Sequence, residues 1–187
     1  MIRLKLIKVC GLLTAFFCVA TPSISNALPD DRNQPIHITS DTAEVDDKTG
    51  LSIYRGKVKI IQGTINLVAD QVTIHSDNQG ISKLVAIGAP AHFQQLPEIE
   101  KTITHAFGNT IEYFVSEERI ELKKQAKLEQ EQNVFTGERI DYDIKRRVVN
   151  AYGDQQPNSS ATPPRVNLII QPNKTNNSAT KDNPANE

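Results

Sequence analysis

The sequence predicts an all-β protein built from repeated antiparallel hairpins, and three observations carry that expectation. One six-residue word recurs four times, the apolar residues inside it alternate with a period of two, and a polar turn cluster follows most copies. The word reads small, acidic or amide, polar, apolar, polar, apolar. It is Ser40-Asp41-Thr42-Ala43-Glu44-Val45, then Ala69-Asp70-Gln71-Val72-Thr73-Ile74, then Gly108-Asn109-Thr110-Ile111-Glu112-Tyr113, then Gly137-Glu138-Arg139-Ile140-Asp141-Tyr142. Its starts lie 29, 39 and 29 residues apart, a period of the size that stacked supersecondary units show.

Each word also contains a change of phase. Apolar or small residues fall on Ile36, Ile38 and Ser40, then on Ala43 and Val45; they fall on Ile65, Leu67 and Ala69, then on Val72 and Ile74. Side chains alternate across a strand, so keeping one apolar face through that point needs an extra residue, as a bulge or corner supplies. Asp41 and Asp70 stand there. Each unit then passes through a turn (Asp46 to Gly50, Ser76 to Gly80, Ser116 to Glu118) into a second strand. Second strands carry a mid-strand glycine at Gly56, Gly88 and Gly153, with Lys124 in its place in the third unit, where a bend is favoured.

Taken in order, residues 1–27 read as a cleaved signal peptide. Arg3, Lys5 and Lys8 give a basic start, Val9 to Ala20 an apolar run, and Ser25-Asn26-Ala27 a small-residue cleavage site. The run is shorter than the roughly 20 residues of a spanning helix, and Phe16 and Phe17 precede Cys18 where a lipidation site needs small residues. Both cysteines, Cys10 and Cys18, fall in this segment, so the processed chain is expected to contain no disulfide and no Cys-based metal site. Removing its three basic residues leaves 18 basic and 22 acidic residues, a balance that argues against nucleic acid.

Residues 28–170 read as one domain. From Gln34 to Tyr152 the chain is rich in Val, Ile and Thr, and strand is expected almost throughout. Glu117 to Glu131 is the dissenting stretch, because its residues are strong helix formers; Ile120 with Leu122 and Ala126 with Leu128 nevertheless alternate in two pairs around Lys124, so strand is expected there too. Such hairpins are compatible with a closed barrel, a sandwich or an open trough. Beyond a Pro- and Asn-rich loop at 155–164, Arg165 to Ile170 reads as a last edge strand, and residues 171–187 as a disordered tail.

No catalytic constellation and no metal site stand out. His37, His75, His92 and His105 lack the short spacings of a metal site, and Asp41 and Asp70 give way to Asn109 and Glu138 in later repeats, as a corner permits and a catalytic carboxylate does not. What remains is an apolar face. Alternation assigns Val58, Ile60, Leu67, Val72, Ile74, Ile111 and Tyr142 to it. Few of its side chains are large, which leaves room between strands for an alkyl chain, worth roughly 0.8 kcal/mol per buried CH₂.

The run Gln34-Pro35-Ile36-His37-Ile38, Ser40-Asp41, Gly56-x-Val58, Gln62-Gly63-Thr64-Ile65 and Ala69-Asp70-x-Val72 resembles the OstA-like family of periplasmic lipopolysaccharide transport proteins. The resemblance implies an open, twisted β-jellyroll with a V-shaped cross-section, located in the periplasm and stacked head to tail with copies of itself. It implies a bridge from the inner-membrane bitopic subunit of the transport complex to the N-terminal domain of the outer-membrane translocon. Lipopolysaccharide would move along an apolar groove with its lipid A acyl chains inside, and the protein would be a passive conduit, without cofactor or enzymatic activity. Carried over by position, the groove would include Ile36, Ile38, Phe93, Tyr113 and Val115. The alternative is a structural β-scaffold of the envelope with no lipid ligand.

Overall fold

The computed structural model describes residues 31–97, 102–154 and 165–172; the segment expected to be a signal peptide, residues 155–164 and those beyond 172 lie outside them. After a 3₁₀ turn (Asp31–Asn33) come ten strands: β1 (His37–Thr39), β2 (Thr42–Asp46), β3 (Leu51–Gln62), β4 (Ile65–Asp77), β5 (Gly80–Gln95), β6 (Thr104–Phe114), β7 (Arg119–Gln130), β8 (Asn133–Asp143), β9 (Val148–Tyr152) and β10 (Asn167–Ile169). All belong to one antiparallel sheet in the order β1-β3-β4-β5-β6-β7-β8-β10, with β2 also on β3 and β9 also on β8. The first and last strands do not pair with each other among the described residues, so the sheet is open.

Register breaks fall where the phase changes in the sequence predict them. Gly56 and Lys57 oppose the single residue Asp70 between β3 and β4. Gly88, Ala89 and Pro90 oppose Asn109 between β5 and β6, and Lys124 and Gln125 oppose Glu138 between β7 and β8. The first corner separates β1 from β2, where the Asp41 N–H donates to the carbonyls of Arg55 and Gly56. These surplus residues bend each strand, and the aligned corners fold the sheet along one line into two leaves.

Contacts between the leaves fix the shape. The Phe93 and Tyr113 rings lie 5.7 Å apart although Tyr113 is registered with Leu84, near the far end of Phe93's own strand. Likewise Gln130 Nε2 donates to the Tyr142 hydroxyl at 2.9 Å, although Tyr142 is registered with Ile120 near the other end of β7. Only a folded sheet brings such ends together.

Because phase is restored at each corner, the same face stays inward on both leaves. One row runs Ile38, Ile60, Leu67, Phe93, Ala106, Leu128, Phe135, Leu168 across eight strands. On the other leaf a row runs Ala43, Tyr54, Val72, Ala86, Ile111, Leu122, Ile140, Ala151. Every member is apolar or aromatic. The helix-forming stretch in β7 stays a strand because Ile120, Leu122, Ala126 and Leu128 are each at most 2% exposed in these inner positions, and burial outweighs intrinsic propensity. Gly153 departs from expectation: it lies just past β9 and not inside a strand. β9 stops at Tyr152, opposite Arg139, and the other half of that edge of β8 is covered by β10.

The corner backbone is left-handed at Gly56 (φ +82°), Lys57 (+47°), Lys124 (+59°) and Gln125 (+56°). A left-handed L-residue costs about 1–2 kcal/mol, against about 0.4–1 kcal/mol for the extra unfolded-state freedom of glycine. Lys124→Gly is therefore expected to stabilise the protein by roughly 0.5–1 kcal/mol. Gly56→Ala should lose at least about 1 kcal/mol, since its Cβ would also run into the Asp41 side chain. Urea unfolding midpoints check both signs, and an unchanged or lower midpoint for Lys124→Gly would contradict the corner account.

Candidate functional site

The two leaves enclose a cleft that is open at one end of the molecule and filled at the other. Between β3 and β6 a cavity of about 350 Å³ is lined by Ile36, Ile60, Ile65, Leu67, Ile81, Leu84, Phe93, Ile111, Tyr113 and Val115, with Gln62, Gln79, Gly80 and Arg32 at its polar margin. Between β7 and β8 the leaves pack directly: Ile120, Leu122, Leu128, Ile140 and Tyr142 are at most 1% exposed.

Seven of the twelve residues singled out from the sequence line this cavity: Ile36, Ile60, Leu67, Phe93, Ile111, Tyr113 and Val115. The other five do not. Val58, Val72, Ile74 and Tyr142 are buried in the core, and Ile38 is half-buried and packs against it. Alternation puts a residue on the inner face but does not encode how far apart the leaves stand, so it does not separate lining from core.

Sequence reasoning missed the device that spans the mouth. The Asp31 carboxylate is buried and accepts hydrogen bonds from the Thr64 N–H (2.6 Å), the Thr64 hydroxyl (2.7 Å) and Gln95 Nε2 (3.0 Å), which anchors the 3₁₀ turn to the rim of one leaf. Gln62 Nε2 donates to the carbonyls of Arg32 and Gln34, both at 3.2 Å. From this fixed turn the Arg32 guanidinium reaches the opposite rim and pairs with Glu118, in the turn between β6 and β7. The Glu118 carbonyl accepts from the Ile144 N–H at 2.9 Å, so its backbone is held as well. Both partners are partly exposed, which places the pair in the range of about 0–1 kcal/mol. At the filled end Arg147 and Glu131 pair across the mouth at 2.5 Å.

Two of the four histidines meet on the outer face, which their sequence spacing did not indicate. His92 Nε2 lies 3.0 Å from His105 Nδ1, and the Phe107 ring stacks on His92 at 4.4 Å. Burial, with the neighbouring His105, holds the His92 imidazole below its usual pKa. Among the described residues no group of three or more His, Cys, Asp or Glu side chains is placed to hold a metal ion, and no helix is long and apolar enough to cross a membrane.

Residues 37–148 match the family described as LptA/(LptD N-terminal domain) LPS transport protein. The chain is 43% identical over 153 residues to the lipopolysaccharide export system protein LptH of Pseudomonas aeruginosa, covering 81% of this chain and 87% of that protein. It is 32% identical over 139 residues to the lipopolysaccharide export system protein LptA of Haemophilus influenzae, covering 73% and 80%. The crystal structure of LptH, described as the LptA homologous periplasmic component of the lipopolysaccharide transport device of Pseudomonas aeruginosa, superposes with a TM-score of 0.70 at 42% identity, over 77% of this chain and 100% of that one.

Burial between the leaves raises the hydroxyl pKa of both Tyr113 and Tyr142 above the ordinary value of 10.0. The folded chain then holds these protons more tightly than the unfolded chain. Their contribution is complete below pH 10 and is lost as pH rises through the folded values. Stability is therefore expected to fall above about pH 10, and the fall should be shallower in Tyr113→Phe with Tyr142→Phe. Denaturant titrations between pH 8 and pH 11 read this, and equal slopes for wild type and variant would place the alkaline transition elsewhere.

Proposed function

The chain belongs to the LptA/LptD N-terminal domain family of lipopolysaccharide transport proteins, and on that premise we propose that it is a periplasmic lipopolysaccharide-binding bridge between the two membranes of a Gram-negative envelope. The observation that carries the reading is the cleft itself, an apolar cavity between two leaves whose inner rows continue to both ends of the sheet. Acyl chains enter the cavity beside Ile36, Phe93 and Tyr113, and the saccharide projects from the mouth. Each buried CH₂ contributes roughly 0.8 kcal/mol, so affinity comes from alkyl burial and requires no catalytic group or cofactor.

Exposed inner residues at both ends support stacking. Val45 (58% exposed) and Leu168 (44% exposed) belong to inner rows that stop at strands whose outer edge has no partner among the described residues. Such an edge is a template for adding another strand. Copies of the chain join head to tail, β1 and β2 of one meeting β9 and β10 of the next. The inner-membrane bitopic subunit and the N-terminal domain of the outer-membrane translocon use the same edges at the two ends of the bridge. Passage through a whole protomer then requires the leaves to part between β7 and β8, where Gln130–Tyr142 and Arg147–Glu131 join them. That packed end is also what favours the second reading, a stacking scaffold without a lipid ligand.

A photo-crosslinking residue at Ile36 is expected to capture lipopolysaccharide in cells, whereas the same probe at Val68, exposed on the outer face, should not. Capture at neither position, or equally at both, would favour the scaffold. Deleting residues 165–187 should shift the protein toward monomer in sedimentation, and unchanged oligomers would show that the joint lies elsewhere.

A further inference from the structure

Among the described residues that line the largely apolar cavity, Arg32 alone is charged; Gln62 and Gln79 share its polar margin. It lines the cavity while its guanidinium pairs with Glu118 on the other leaf, and long cationic side chains commonly sit at such apolar boundaries. The backbone that carries it is tied down by Asp31 to Thr64 and Gln95 and by Gln62 to the Arg32 carbonyl. It faces Glu118 from the other leaf, and both side chains remain partly open to solvent (44% and 31% exposed). A cation at the lip of an alkyl-sized cavity, paired among the described residues with a partly exposed carboxylate, suits an exchange of partners.

We propose that Arg32 reads the headgroup of the ligand: as acyl chains enter the cavity, its guanidinium leaves Glu118 for a phosphate carried on the sugar of an acylated glycolipid. The inference rests on the lipid-binding reading given above. A guanidinium fork matches phosphate oxygens in a bidentate fashion, and a phosphate monoester carries about 1.5 to 2 negative charges near neutral pH against one for Glu118. The ion pair is thus a latch across the cleft and a competitor for the ligand. Closure and recognition share one side chain. A phosphate-free lipid of the same acyl content would enter the cavity but would leave the latch to be broken without a replacement partner.

The test uses the full chain as the cell processes it, titrated with two probes: hexa-acylated lipid A bearing both phosphates, and the same lipid A dephosphorylated. Wild type is expected to prefer the phosphorylated probe by roughly ten-fold, the ratio that one good charge-assisted contact supplies. Arg32→Gln should lose that preference and, with no latch to break, bind the dephosphorylated probe at least as tightly as wild type does, and Arg32→Lys should retain part of the preference. Glu118→Gln, which removes the competitor, should bind the phosphorylated probe more tightly than wild type. Opposite signs at the two positions are the signature, because a merely structural ion pair would move both variants the same way. Equal weakening of both probes in both variants, or no preference in wild type, overturns the proposal and leaves the lipid-binding reading intact. Wild type that binds neither probe overturns that reading and the proposal with it.

Discussion

The constraint on which this structure depends is that a folded sheet must keep one face inward on both sides of its fold. A period of two allows no correction along a regular strand, so a chain that bends without an insertion would turn its apolar residues outward past the bend. Here the correction is made in one line of corners, where Gly56 and Lys57, Gly88 to Pro90, and Lys124 and Gln125 each stand against a single acidic or amide residue on the next strand. The inner rows on both leaves, and with them the cleft, follow from those surplus residues. The third unit achieves the bend with two non-glycine residues in the left-handed region, which shows that the corner is imposed by the packing of both leaves and not by glycine alone.

The cleft is uneven along its length. A cavity lies between the leaves at β3 to β6, whereas Ile120, Leu122, Leu128, Ile140 and Tyr142 are buried at β7 and β8. The polar links at the mouth follow the same division. Arg32 and Glu118 cross the open part, whereas Gln130–Tyr142 and Arg147–Glu131 lie over the packed part. A partly exposed pair is weak enough to exchange its partner. Parting the packed end would separate the buried apolar side chains there as well as break its polar links.

Most of the fold was legible in the sequence because it is local and repeated. The four words place the corners, and the two apolar pairs around Lys124 identify β7 as strand against its helix-forming composition. What was not legible depends on distance in the chain. Asp31 meets Thr64 across 33 residues and Arg32 meets Glu118 across 86, and no pattern of spacing marks such partners in advance. His92 and His105 look scattered until the register of β5 with β6 sets them side by side. Val58, Val72, Ile74 and Tyr142 share an inner face with Phe93 and Tyr113, yet lie in the core and not at the cavity, because the separation of the leaves is a property of all inner residues together. Gly153 shares the position of the corner glycines, but the strand before it ends at the corner.

The family and the cleft together make lipid carriage the central claim, and native mass spectrometry of the processed protein, with and without added lipopolysaccharide, tests it most directly. It reads subunit number and bound lipid in one spectrum. The account predicts oligomers that grow with concentration and carry lipopolysaccharide adducts. Oligomers that never take up the lipid would contradict it, leaving the fold as described and assigning the chain to scaffold.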